Sequence, residues 1–315
     1  MPSVRVGFFP TLTQLTGGSG HPEPLEAALP LIADAPVDHL CVGDHVSFFV
    51  GAGSDGLITA STLLAAQARL PVYVALYLLP LRHPVPVARQ LATLAQLAPG
   101  RLTLGVGIGG EDRHEIEVCG VDPHTRGCRM DESLEILRAL ADGSPVSFSG
   151  EHFSLKEAIV SPPPSPRVPL IVGGRSDAAM HRAAQFGDGW LGIWVSPRRY
   201  KDVCDHIAMD AAQSGRHVGG FEHALNVWCG FAPRHEKARQ LLATQMEAFY
   251  QMPFEPFERY SPSGTPEQVA EFLIPYIEAG CSRFNVIPCA NDLQSSIAAV
   301  GELRARLTSQ MEVIP

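Results

Sequence analysis

The segment Arg101-Leu-Thr-Leu-Gly-Val-Gly-Ile-Gly-Gly110 constrains the fold more than any other stretch. Leu102, Leu104 and Val106 make a short apolar strand that loses its side chains as it ends, at Gly105, Gly107, Gly109 and Gly110. Glycines there let backbone approach something flat or anionic, and they permit positive φ. Charge follows at once, at Glu111, Asp112, Arg113, His114 and Glu115. Upstream, Pro84–Ala98 reads as a helix with Val87, Leu91, Leu94 and Leu97 on one face; downstream, Met130, Leu134, Leu137 and Ala141 mark another. The unit is helix, buried strand, polar glycine loop, helix.

Taken literally, Gly105-Val-Gly107-Ile-Gly109-Gly110 matches the dinucleotide fingerprint G-x-G-x-x-G. That fingerprint needs a helix to open at its third glycine, so that a pyrophosphate sits on the helix N-terminus. Here charged residues follow, and Cys119-Gly-Val-Asp-Pro-His-Thr125 interrupts the chain before a helix expected near Arg129. Asp131, at the fingerprint's acidic position, falls inside that helix and not at a strand end. A ligand-facing loop of another α/β fold is the better reading, with tight packing as the plainer alternative.

Further strands are expected at Val4–Phe8, His39–Val42, Val72–Leu79, Leu170–Val172, Trp190–Trp194, Leu225–Phe231 and Arg283–Ile287. Between them the pattern predicts helices over Pro24–Ala35 (bent at Pro30), Thr59–Arg69, Asp177–Phe186, Pro197–Ala212, Arg234–Tyr250 and Asp292–Leu307. Thr265-Pro-Glu-Gln268 starts one more helix, with a threonine cap, proline at N1 and glutamine at N3. Thr16–Gly20 is a glycine-rich loop, and Phe48–Gly56 also reads as loop. From about 141 to 168 a small hairpin and Ser161-Pro-Pro-Pro-Ser-Pro166 form an excursion outside the main fold. Eight strands alternating with helices predict a (β/α)8 TIM barrel, one domain over residues 1–315 with a non-barrel insert at about 141–168.

The formal net charge of −9, with only three lysines (Lys156, Lys201, Lys237) and no basic cluster, argues against a nucleic-acid partner. Seven scattered cysteines without a C-x-x-C pair read as free thiols in a reducing compartment, and no zinc spacing occurs. The longest apolar run, Pro71–Leu81, is too short to span a bilayer. The amino terminus lacks the pattern of a signal peptide. A cytoplasmic protein acting on a small molecule, with no membrane partner, is expected.

In a barrel, chemistry gathers on the loops after the strands. Asp44-His45 ends the second strand: an imidazole beside a carboxylate can be held in one tautomer and exchange protons near neutral pH. The plainer reading makes Asp44 a loop cap and His45 a surface residue. Glu111, after the fourth strand, reads on its own as solvent-exposed. Gly173-Gly174-Arg175-Ser176 opens a helix, where amide N–H groups, a hydroxyl and a guanidinium suit a phosphate. A tight turn with a serine cap fits that stretch equally well.

Together these residues resemble the bacterial luciferase-like monooxygenases, a family that includes F420-dependent reductases and dehydrogenases. The resemblance rests on Gly43-Asp-His45, Leu81-Arg-His-Pro84, Ala88-Arg-Gln-Leu-Ala-Thr-Leu94 and Pro99-Gly-Arg-Leu-Thr-Leu-Gly-Val-Gly107. It continues through Glu115, Gly120, Arg126, Asp131-Glu132, Pro169–Ser176, Gly187-Asp-Gly-Trp190 and Gly264–Val269. It implies a flavin or deazaflavin bound across the strands' C-terminal ends. By the same resemblance Asp44-His45 lies against the ring, with His45 as proton-transfer candidate, and Ala75-Leu76 falls on a bulge behind it that often carries a non-proline cis peptide. Gly107 and Gly109 line the ring region; Gly173, Gly174, Arg175 and Ser176 match the phosphate loop.

The chain also departs from the family's pattern. Gly109-Gly110-Glu111 stands where many deazaflavin enzymes have Gly-Glu directly, so an acid role for Glu111 is not carried over. Strand one ends in Phe9-Pro10 without a carboxylate, and His45 lacks the nearby tryptophan of the family's sugar-phosphate dehydrogenases; both disfavour a sugar phosphate. The resemblance implies F420-dependent hydride transfer with a small organic substrate, or alternatively an FMN-dependent monooxygenase, in a chain that forms homodimers as barrels of this family commonly do. A third reading is cofactor binding without turnover, with Phe8, Phe9, Phe48, Phe49 and Trp194 filling the substrate pocket.

Overall fold

In the computed structural model, which describes residues 4–10, 25–49 and 51–311, thirteen strands occur among the described residues. In chain order they are β1 (Arg5–Phe8), β2 (His39–Val42), β3 (His45–Phe48), β4 (Ala52–Ser54), β5 (Val72–Leu78), β6 (Leu102–Gly107), β7 (Val146–Ser149), β8 (Ser154–Ala158), β9 (Leu170–Gly173), β10 (Trp190–Ile193), β11 (Ala224–Phe231), β12 (Ser263–Gly264) and β13 (Arg283–Cys289). Eight of them pair in parallel around a closed ring, β1-β2-β5-β6-β9-β10-β11-β13 and back to β1. This is the expected (β/α)8 barrel.

Every residue of β2, β6, β9, β11 and β13 is buried, as strands covered on both faces must be. The helices fill the outer layer. In Pro84–Leu97 the buried face is Val87, Leu91, Leu94 and Ala95. Leu97, expected on that face, is instead 76% exposed. It lies about 100° around the helix from the centre of the stripe that runs through Val87, Leu91, Leu94 and Ala98. Ala141 likewise caps its helix, and Leu140 carries the last fully buried contact.

Boundaries moved where polar caps outweighed hydrophobic period. The helix expected from Thr59 starts at Gly56, because the Asp55 carboxylate accepts from the Leu57 and Ile58 amides. After β6 the charged run holds a six-residue helix, Arg113–Val118, capped by Asp112. The next helix begins at Arg126, not Arg129. The Phe48–Gly56 stretch is not all loop: β3 and β4 form an antiparallel hairpin, turned at Phe49 (φ 44°) and Gly51 (φ 82°). The Thr265–Gln268 capping box formed as expected. A short helix at Glu255–Glu258 and β12 left no periodic trace to read. β7 and β8 pair only with each other, outside the barrel sheet. Thr16–Gly20 lies outside the described residues.

Candidate active site

The C-terminal ends of β2, β5, β6, β9, β10 and β11 surround a cavity of about 310 Å³. Asp44, His45, Ala75, Leu76, Gly107, Gly109, Glu111, Gly173, Gly174 and Arg175 all line it. Ser176 does not.

Asp44 and His45 are adjacent in sequence yet face different partners. The Asp44 carboxylate turns inward, where Arg82 Nη1 donates to Oδ2 at 2.6 Å and Nη2 to Oδ1 at 2.8 Å. The amides of Leu78 and Gly56 add bonds of 2.8 and 2.9 Å. Burial pushes the carboxyl above its usual range, against the pull of Arg82 and both amides. All four bonds come from donors, the set that a carboxylate accepts. Arg82 itself lies over the Tyr77 ring, 4.4 Å from its centroid. Asp44 thus ties the end of β2 to the end of β5, and its charge is already matched. This corrects the expectation that Asp44 supplies the negative charge beside His45.

That charge comes from Glu115. His45 Nδ1 lies 3.1 Å from Glu115 Oε2, and the same carboxylate accepts from the Val46 and Ser47 amides at 2.7 and 3.2 Å. Asp112 accepts from Phe49 N at 2.6 Å, so the short helix after β6 clamps the β3–β4 hairpin. Burial works against the Glu115 carboxylate, but the His45 bond and charge together with the two amides hold it below its usual range. In the sequence Glu115 stands in a run of five charges and among the residues that carry the resemblance, but nothing there pairs it with His45. The signal that could have found it is Asp112-x-x-Glu115, an N-cap followed by an acid at N3, which marks a helix start inside that run.

The floor of the cavity is the bulge in β5. The β5–β6 register slips between Val74 and Tyr77, and the Ala75-Leu76 peptide is cis, where the resemblance placed it. The Leu76 side chain lies over the glycines of the neighbouring strands. A Cβ at Gly107 would come within 2.8 Å of Leu76 Cδ1, one at Gly105 within 2.9 Å of Cδ2, and one at Gly173 would overlap it outright. Gly107 and Gly173 therefore make room for Leu76 as well as bordering the cavity.

Behind the floor runs a buried polar chain. Asn226 Nδ2 donates to the Ala75 carbonyl at 3.4 Å, and Asn285 Nδ2 donates to Asn226 Oδ1 at 2.9 Å. His39 Nε2 lies 2.7 Å from Asn285 Oδ1. Because Asn285 already donates through its nitrogen, its oxygen accepts, and His39 carries its proton on Nε2.

At the far end of the cavity Gly174 adopts φ 127°, and its carbonyl accepts from Trp190 Nε1 at 2.8 Å. Ser176 caps the helix Asp177–Phe186, its hydroxyl oxygen accepting from Ala179 N at 3.3 Å. The Arg175 guanidinium sits 5.6 Å from the Trp194 ring centroid. Of the aromatics expected to fill the site, Phe9, Phe48 and Trp194 line it, while Phe8 is fully buried in the barrel core. The cavity stays open.

A second cavity, of about 410 Å³, opens at the opposite end of the barrel. Its charges are paired: Arg283 and Arg5 with Glu222, Arg167 with Asp188, and Asp38 with Arg304 outside the lining. It lies beneath the strands' N-terminal ends, away from the loops that carry chemistry in such barrels.

The model of the luciferase-like monooxygenase family matches residues 8–262. An uncharacterised protein of Mycobacterium tuberculosis is 37% identical over 134 residues, 42% of this chain and 46% of that protein, so the match spans about half of that relative. An F420-dependent glucose-6-phosphate dehydrogenase of Beutenbergia cavernae is 31% identical over 250 residues, 77% of this chain and 72% of the relative. Among solved structures, an F420-dependent secondary alcohol dehydrogenase in complex with an F420-acetone adduct superposes with a TM-score of 0.83 at 22% identity, covering 97% of this chain and 99% of that one. No helix among the described residues is long and apolar enough to cross a membrane.

Proposed function

The chain belongs to the luciferase-like monooxygenase family, and from that premise we propose that it is an oxidoreductase moving hydride between coenzyme F420 and a small organic substrate. The observation that carries this reading is one cavity that joins a glycine-edged slot to His45, whose Nδ1 is held by Glu115. Its volume, about 310 Å³, lies within the roughly 300–1,000 Å³ of small-molecule and cofactor sites.

The residues present fit a deazaflavin. Ala75 and Leu76 offer an apolar floor, and Gly107 and Gly109 form a wall without side chains. Gly174, Arg175 and the N-terminus of Asp177–Phe186 give one end a positive polarity suited to the cofactor's phosphate. When bound, the cofactor supplies the hydride chemistry. The chain's own part is to orient, to exclude water and to move a proton. With Nδ1 anchored on Glu115, His45 Nε2 is the atom left to exchange a proton with a substrate oxygen. Asp44 and Arg82 act one step back, holding the loop that presents His45.

F420 is favoured because the named relative and the superposed dehydrogenase are both F420-dependent. FMN with dioxygen is the second reading, favoured by the family's own description as monooxygenases. Titrating purified protein with F420 and with FMN, following cofactor fluorescence, separates them: the expected result is saturable F420 binding at least tenfold tighter than FMN. We further take residues 1–315 to be one barrel unit with an insert at about 141–168, working in the cytoplasm as a homodimer. Light scattering on the purified chain tests the last point.

A further inference from the structure

We propose that the substrate of this site is an uncharged molecule carrying a ring or a bulky apolar group, and that a phosphate or carboxylate on it is excluded. The inference rests on the cofactor reading in one respect: it gives the Gly174–Arg175 end of the cavity to the cofactor and the face lined by Phe48, Trp228 and Phe249 to the substrate.

That face is an aromatic wall. Phe48 and Phe249 approach with centroids 5.1 Å apart, Trp228 and Phe249 at 5.7 Å, and Phe249 and Tyr250 edge-on at 4.8 Å. Phe9 and Ile287 extend the apolar surface. The His45 ring lies 3.9 Å from that of Phe48, so the proton-bearing group is set into the rim of this wall. Trp228 Nε1 is taken up by Tyr250 Oη at 3.2 Å and offers a ligand nothing.

Charge decides what the wall accepts. The charged side chains among the described lining residues, His45 apart, are Asp44, Glu111 and Arg175. Asp44 is matched by Arg82, whereas Arg175 lies over Trp194, whose ring meets Tyr250 at 5.1 Å, so Arg175 borders the wall and the cofactor reading assigns it to the cofactor's phosphate. With Arg175 given to the cofactor, an anionic substrate group would be desolvated without a permanent cation among the described lining residues, in a cavity that Glu111 also lines. A neutral ring meets the offset and edge-on partners it prefers.

Acetophenone and benzoate test this, being near in size and differing in charge. Their dissociation constants are measured on the full chain by tryptophan fluorescence, with and without F420, alongside glucose 6-phosphate. Acetophenone is expected to bind at least about tenfold more tightly than either anion. Phe249→Ala should weaken acetophenone about tenfold while leaving F420 affinity within about twofold, and Phe249→Arg, at the exposed mouth, should shift preference toward benzoate. Benzoate or glucose 6-phosphate binding the native chain as tightly as acetophenone overturns the proposal, whatever F420 does. Acetophenone preference in a chain that binds neither F420 nor FMN would uphold it and sink the cofactor reading instead.

Discussion

Leu76 occupies the space that a side chain at Gly173 would need, so that the floor of one strand and the missing Cβ of another are a single packing unit. Gly173→Ala should therefore be overpacked, destabilising the fold by about 1–3 kcal/mol. Leu76→Ala alone should open a hole costing about 2–5 kcal/mol. The double variant should recover part of the sum, a coupling visible in a urea-unfolding cycle. Strict additivity would show that the two sites do not share that space.

The Arg82–Asp44 pair carries a different kind of prediction. Asp44 is 2% exposed, and removing its guanidinium partner leaves a buried carboxylate with amide donors alone. Arg82→Met should cost about 3–5 kcal/mol in unfolding free energy. Arg82→Lys keeps the charge and loses the two-pronged bond, and should fall between. A native-like midpoint for Arg82→Met would mean that Asp44 takes up a proton instead.

His45→Asn should leave the fold intact and cofactor affinity within a few-fold, while lowering turnover by roughly 10²-fold, the scale of a lost general acid or base. The check is turnover at saturating cofactor and substrate, with dissociation constants in parallel. Glu115 adds a pH dependence. Its carboxyl is held below the usual value in the folded chain, so its contribution to stability is complete above about pH 4.3 and is lost as pH falls through the folded value. Glu115→Gln should flatten that part of the acid limb and unsettle the β3–β4 hairpin. Unaltered turnover in His45→Asn would remove His45 from the mechanism.

The barrel was legible because its determinants repeat. Eight apolar strands and their helices each leave a pattern, and the helix start at Thr265–Gln268 could be placed from its cap alone. The site was only half legible. Its positions lie at strand ends, which the pattern marks, but side-chain direction there is set by partners distant in sequence. Asp44 and His45 look like one unit until Arg82, 38 positions on, draws the first inward, and Glu115, 70 positions on, engages the second. Gly173 reads as a phosphate-loop glycine, and nothing local reveals that Leu76 also lies on top of it. The polar chain His39–Asn285–Asn226 was invisible for the same reason: each member reads as a lone polar residue in an apolar strand.

That chain yields the last prediction. His39 is 2% exposed, and burial, aided by the nearby Arg283 charge, draws its pKa down to about 3 in spite of the Asn285 bond. His223 is drawn down to about 4 by burial alone. Both rings are neutral in the folded chain at neutral pH, and both return to about 6.5 on unfolding. Unfolding then takes up protons wherever the pH lies between the folded and unfolded values. The stabilising contribution is full above about pH 6.5 and drains away as pH falls toward 4. Each histidine adds a slope of up to about 1.4 kcal/mol per pH unit, so the pair should give nearly twice that around pH 5. Urea unfolding at half-unit steps from pH 7.5 to 4.5 measures it. His39→Gln, whose amide nitrogen can still reach toward Asn285, should remove about one proton from the slope while leaving stability at pH 7.5 within about 1–2 kcal/mol. An unchanged slope in that variant would mean that His39 is already charged in the folded barrel, and the direction assigned to its bond with Asn285 would rest on Asn285 alone.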